Sequence, residues 1–122
     1  MAATTRTEEV RVAATRLALQ GRLLARLTRP VVFYTVPVAD TAAIVRELSR
    51  SACRHAETVD HLGAHLLDLA GRRRARPAEA DVLRAVGADL RQIATGLWKT
   101  DDALAQAATA LNRLDPAPNL GR

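Results

Sequence analysis

The chain has 122 residues, a length that fits one domain, and its composition is 48% hydrophobic, 25% charged and only 2% aromatic. The hydrophobic residues are mostly alanine and leucine, which favour helices, whereas strands favour β-branched and aromatic side chains. The net charge of +5 is compatible with nucleic acid or an acidic partner, and the single cysteine, Cys53, excludes an intrachain disulfide and a zinc ribbon.

Helix 1 is predicted over residues 7–28. Thr5 and Glu8 have the spacing of a capping box at its start. Its face is a stripe of mostly apolar residues three or four apart, and a second stripe beside it widens that face. We therefore expect helix 1 to contact two neighbouring elements. The stripes are Val10, Ala13, Leu17, Gln20, Leu24 and Leu27, and then Val12, Leu19 and Leu23.

Residues 29–39 interrupt the helical pattern. Pro30 and Pro37 bracket a run of β-branched and aromatic residues, and both features favour extended backbone. The segment is longer and more apolar than a loop between antiparallel helices requires. We expect an extended strap that packs along the helices.

Helices 2 and 3 are predicted over residues 40–73 and 77–114. Asp40 is the predicted N-cap of helix 2, and Pro77 fits the first turn of helix 3. Each helix carries a seam of residues three or four apart for about 30 residues, which is the period of a coiled coil. Because so few residues separate the helices, they are expected to form a long antiparallel hairpin, followed by a frayed tail over residues 115–122. The seams are Val38, Thr41, Val45, Leu48, Ala52, His55, Val59, Leu62, Leu66 and Leu69 in helix 2, and Leu83, Val86, Leu90, Ile93, Leu97, Thr100, Leu104, Ala107, Leu111 and Leu114 in helix 3.

Small residues recur every seven positions beside these seams. Such residues let two helix backbones approach closely, although alanine is also abundant throughout this chain. The small residues are Ser49, Ala56, Gly63 and Ala70 in helix 2, Gly87, Ala94 and Ala108 on one side of helix 3, and Gly96, Ala103 and Ala110 on the other.

Three polar residues, Gln20, His55 and Thr100, occupy equivalent seam positions. We expect them to share one layer, with His55 buried and structural, because buried polar groups need partners and such a layer fixes helix register.

Residues 83–94 look like the first half of a helix-turn-helix motif. That motif would need a turn near Gly96, which would shift the phase of the apolar repeat. Since the repeat continues in phase across Gly96, the sequence favours one unbroken helix.

These patterns predict an all-α fold: a three-helix bundle built on a long antiparallel helix 2–helix 3 hairpin, with the strap between helices 1 and 2. We expect a non-catalytic interaction or assembly module that self-associates, without catalytic residues, metal or cofactor. Trp98 lies just outside the helix 3 seam, so Trp98, Phe33 and Tyr34 are its candidate partner-binding residues. The N-terminus lacks the apolar core of a secretory signal and no apolar run is long enough to span a bilayer, so we expect a cytoplasmic protein without membrane contact.

A basic cluster at the predicted helix 2–helix 3 turn suggests an alternative function. Phosphate backbones bind such clusters through counterion release, so a nucleic-acid-associated accessory protein is the second hypothesis. No aromatic residues interleave the arginines, which argues against base stacking. The candidate polyanion-binding residues are Arg72, Arg73, Arg74 and Arg76.

A metal-binding or hydrolytic role is the third hypothesis. His61 and His65 share a helix face with Glu57 and Asp68 at helical spacing, a donor set that metals use. All four lie on one helix, so a second element would have to complete a closed site. The pairs Arg50/His55 and Arg54/His61 resemble the arginine–histidine spacing of HEPN ribonucleases, which would imply hydrolysis.

Overall fold

A computed structural model describes residues 2–29, 35–72 and 76–114 of the chain. These residues contain three α-helices and no strand: α1 (Ala2–Leu27), α2 (Val38–Ala70) and α3 (Pro77–Asn112). The all-α prediction is confirmed. Residues 30–34 of the expected strap, and the tail over residues 115–122, lie outside the described residues.

The chain divides into two compact units, Met1–Val36 and Pro37–Arg122. The arrangement as a single domain stays a prediction.

The first unit contains α1. This helix begins at Ala2, before Thr5, so the predicted capping box is wrong. Ala2 and Ala3 are strong helix formers and extend the helix upstream of the expected start. Glu8 instead receives a side-chain hydrogen bond from Arg11 at 2.6 Å, one turn along the helix.

The second unit contains the hairpin of α2 and α3. Helix α2 begins at Val38, two residues earlier than predicted, because Pro37 occupies the N-cap with an extended backbone. The carbonyl oxygen of Pro37 accepts hydrogen bonds from the Thr41 amide at 3.0 Å and the Thr41 hydroxyl at 3.1 Å. Asp40 is therefore not the N-cap; it lies in the first turn, where its charge complements the helix dipole.

Helix α3 begins at Pro77 as predicted and continues without a turn through Gly96. This continuity confirms the unbroken helix inferred from the phase of the apolar repeat. The helix ends at Asn112, two residues before the predicted end.

The two helices meet along their small residues, which are buried at seven-residue intervals. The structure brings Gly63 beside Gly87 and Ser49 beside Asp101. Both pairs belong to one antiparallel register, which extends over the helices between Ala42 and Ala108. A strict seven-residue repeat requires left-handed supercoiling of the pair. These positions are Ala42, Ser49, Ala56, Gly63 and Ala70 in α2, and Ala80, Gly87, Ala94 and Ala108 in α3; Ala52, a residue of the helix 2 seam, is buried as well.

The backbones touch at the glycine pair. A Cβ atom built on Gly63 would lie 2.8 Å from the Gly87 carbonyl oxygen, and one on Gly87 would lie 2.9 Å from the Gly63 carbonyl oxygen. Ordinary contacts of a Cβ atom are 3.4–4 Å. The close approach predicted from the small residues is therefore confirmed.

The predicted polar layer is wrong. Ser49 is the buried polar residue of the described chain, and its hydroxyl donates to the carbonyl oxygen of Asp101 at 3.1 Å and also to the Asp101 carboxylate. His55 is only half-buried, with Nε2 3.5 Å from the Ser51 hydroxyl. Thr100 is exposed, and Gln20 is exposed on α1. The buried polar contact of Ser49 with Asp101 lies instead among the small residues, because the two helices approach each other most closely there.

Candidate functional site

One flank of the hairpin carries an ion pair between the two helices. Arg91 Nε donates to Asp60 Oδ1 at 3.2 Å, although the two residues are 31 positions apart. Asp60 lies four positions after the buried Ala56, and Arg91 lies four positions after the buried Gly87. In an antiparallel pair, residues at the same offset from the centre lie on the same side. We call this side the ionic flank. The sequence analysis missed the pair, and this shared offset is the signal that could have found it.

The opposite side of the hairpin consists of the two predicted seams. Seam residues lie three positions after or one position before a buried small residue, so both seams fall on the side away from Asp60 and Arg91. We call this side the apolar flank. The seams were predicted to form the centre of the hairpin, and that expectation is wrong. Small residues allow the closest backbone approach, which displaces the larger side chains to one side.

The seam residues of the apolar flank include no aspartate, glutamate, lysine or arginine, either from Val38 to Leu69 in α2 or from Leu83 in α3 to Leu114 just after it. All charged residues of α2 lie off the seam. They are Asp40, Arg46, Glu47, Arg50, Arg54, Glu57, Asp60 and Asp68. Over the length of α2, about 50 Å, charge is therefore confined to the other sides of the hairpin. In α3, Glu79 lies one position before the buried Ala80, on the side of the apolar flank near the turn.

Large apolar side chains on this flank remain in contact with solvent. Leu62 is 46% exposed and Ile93 is 52% exposed, and Leu48, Val86 and Leu114 also belong to the exposed set. The seam leucines of α3 nearer the helix contact, such as Leu90 and Leu97, are only half-buried. Contiguous exposed apolar surfaces are typical of interaction sites, whereas single exposed apolar residues are common on any protein surface.

Trp98 lies on the ionic flank, seven positions after Arg91, and its residue surface is 37% exposed. It is therefore on the other side of the hairpin from the seams. Phe33 and Tyr34 lie outside the described residues. The partner-binding role of these three residues stays a prediction.

The arginine cluster is described only at its two ends. Arg72 is exposed and pairs with Asp68, with Nη2 and Oδ2 3.0 Å apart. Arg76 is also exposed and precedes α3. Arg73 and Arg74 lie outside the described residues, so polyanion binding by this cluster stays a prediction.

The candidate metal donors do not come together. Within residues 2–29, 35–72 and 76–114, no three histidine, cysteine or acidic side chains form a group that could hold a metal ion. Glu57 instead pairs with Arg54 at 3.5 Å, and His61 and His65 are exposed. Cys53 is a free, half-buried thiol.

The first unit has an exposed helix of its own. Every described side chain of α1 is exposed, including Leu17, Leu19 and Leu23. No acidic residue occurs between Val10 and Ala39, so the rest of α1 is basic as well as apolar.

Among the described residues, none of the three helices combines the length and the hydropathy needed to cross a membrane. Comparisons with protein-family models, curated proteins and solved structures returned no match.

Proposed function

We propose that this protein is a non-catalytic interaction or assembly module that self-associates through the apolar flank. The observation that supports the proposal is the confinement of charge: both seams are free of charged residues, yet Leu62 and Ile93 are about half exposed. A solvated helix face carries polar and charged residues, whereas a coiled-coil seam is apolar and packs against further helices. The proposal keeps the cytoplasmic location expected from the sequence.

The size of the flank suits a stable interface. Two adjacent helices about 50 Å long and together about 18 Å wide present about 900 Å² on one side. Specific interfaces bury about 800 Å² per partner. Fully burying an exposed leucine or isoleucine contributes about 1.5–3 kcal/mol, so the half-exposed seam residues together supply several kcal/mol toward the cost of association.

An arginine placed on the flank tests the proposal. In Leu62→Arg, association would bury an unpaired charge, so we expect the variant to be monomeric at concentrations where the parent protein associates. Ala88→Arg is the matched control, because Ala88 is an exposed helical position on the side of the ionic flank. The measurement is molar mass by light scattering during size-exclusion chromatography, with circular dichroism to show that each variant is folded. A parent protein that is monomeric at every concentration would refute self-association. If Leu62→Arg and Ala88→Arg both lowered the measured molar mass to the same extent, the role of the flank in association would be refuted.

A further inference from the structure

We infer that a second copy of this chain binds the apolar flank with the two α2–α3 turns at opposite ends, so that α2 packs against α2 and α3 against α3. This inference rests on the proposed function and adds the arrangement of the two copies. The result is a four-helix bundle made from two hairpins.

Contact between two identical flanks restricts the symmetry. Flank against flank is an isologous interface, so a twofold axis must lie in the plane of contact. Only two orientations keep the long hairpins aligned over their whole length. An axis along the hairpin places both turns at the same end and sets α2 on α3 of the second copy. An axis across the hairpin places the turns at opposite ends.

Charge favours the axis across the hairpin. Arg72 and Arg76 are exposed at the turn, and the sequence between them adds two more arginines. An arrangement with both turns at one end brings two of these arginine-rich turns together. Their net positive charge opposes association, although Arg72 of each copy pairs with its own Asp68. Turns at opposite ends separate the two clusters by about 50 Å, which is several times the Debye length of about 8 Å at physiological salt.

The observed register determines which residues meet. Arg54 is the middle residue of α2, Val38–Ala70, and the register of the pairs Gly63/Gly87 and Ser49/Asp101 places Gly96 of α3 beside it. A twofold axis across this middle gives the largest overlap of the two flanks. His55, the seam residue nearest the middle of α2, then lies opposite His55 of the partner subunit. Leu48 lies opposite Leu62 of the partner subunit, since the two are about equally far from the middle.

Cysteine cross-linking distinguishes the two arrangements. The background is Cys53→Ser, which removes the native thiol on the ionic flank. With a short bismaleimide, we expect His55→Cys in this background to give covalent dimers at high yield. Leu48→Cys alone should cross-link poorly, but a mixture of the Leu48→Cys and Leu62→Cys proteins should give the mixed dimer. Circular dichroism of each variant shows that the helices are retained.

The opposite pattern would overturn the inference. If both turns lay at one end, His55→Cys alone would not cross-link, and a mixture of the His55→Cys and Ile93→Cys proteins would. Sedimentation of the Cys53→Ser protein separates this failure from failure of the proposed function. A concentration-dependent mass without the expected cross-links would leave self-association standing and reject the arrangement. A monomer at all concentrations would reject both.

Discussion

Replacing Gly63 with alanine tests the backbone contact on which the hairpin depends. In an ordinary helix this change is favourable by about 1 kcal/mol, because glycine is the poorer helix former. Here the added methyl group would lie 2.8 Å from the Gly87 carbonyl oxygen and 2.7 Å from Arg91 Cγ. The arginine side chain can move aside, but the carbonyl oxygen belongs to the helix backbone and cannot move by itself.

The magnitude follows from that geometry. Restoring a contact of 3.4 Å from 2.8 Å requires the helices to separate locally by about 0.6 Å, which loosens the neighbouring small-residue contacts. Overpacking of this kind typically costs about 1–3 kcal/mol, and it is offset by the gain of about 1 kcal/mol in helix propensity. We therefore expect Gly63→Ala to lower the free energy of unfolding by up to about 2 kcal/mol, and not to raise it.

Gly96→Ala is the matched control in the same hairpin. A Cβ atom at Gly96 has no neighbour within 4 Å, so this variant should gain about 0.5–1 kcal/mol. The assay is urea unfolding followed by far-ultraviolet circular dichroism, at a protein concentration low enough to keep the chain monomeric. Equal stabilisation of both variants would refute a backbone contact at Gly63.

Three further predictions concern the polar residues and the tryptophan. Ser49→Ala should change the free energy of unfolding by less than about 1 kcal/mol, because the half-exposed Asp101 carboxylate regains water; a loss above about 3 kcal/mol in urea unfolding would contradict this. The emission maximum of Trp98 should not move on dilution, because the ionic flank lies outside the proposed interface; a red shift on dilution would make Trp98 an interface residue. Changing residues 72–74 together to alanine should change the free energy of unfolding by no more than about 0.5 kcal/mol, because the ion pair that Arg72 makes is exposed. If the protein binds nucleic acid through this turn, the same triple variant should lower the log–log salt slope by about two to three, and an unchanged slope would exclude the turn from the binding site.

The periodicity of the sequence was sufficient to predict the helices. It was not sufficient to predict which side of each hairpin helix contacts the other helix. The apolar repeat predicted α2, α3 and the unbroken passage through Gly96, because phase is a property of one helix alone. Both the seam and the small-residue line repeat every seven positions, so spacing does not decide between them. The distance between the two helix backbones decides which series forms the contact. Gly63 and Gly87 allow each backbone to approach the carbonyl oxygen of the other, and the large seam residues leave no room for such an approach.

The candidate surface was therefore present in the sequence under a different interpretation. The seam residues, including Leu62 and Ile93, were identified correctly as one apolar stripe, and the expectation that this stripe forms the centre of the hairpin was wrong. The ion pair of Asp60 and Arg91 depends on the register between two helices. Their shared offset from the buried small residues predicts the pair only once that register is known. Residues such as Phe33 gave no comparable repeat, and their role rests on composition alone.

Sedimentation equilibrium of the full chain, with Leu62→Arg and Ala88→Arg run beside it, tests the central claim most directly. The monomer mass is 13.2 kDa. We expect the parent protein and Ala88→Arg to move from that mass at low concentration toward twice that mass as concentration rises, while Leu62→Arg stays at the monomer mass. A parent protein that remains at 13.2 kDa throughout, or a Leu62→Arg variant that associates as strongly as the parent, would contradict self-association through the apolar flank.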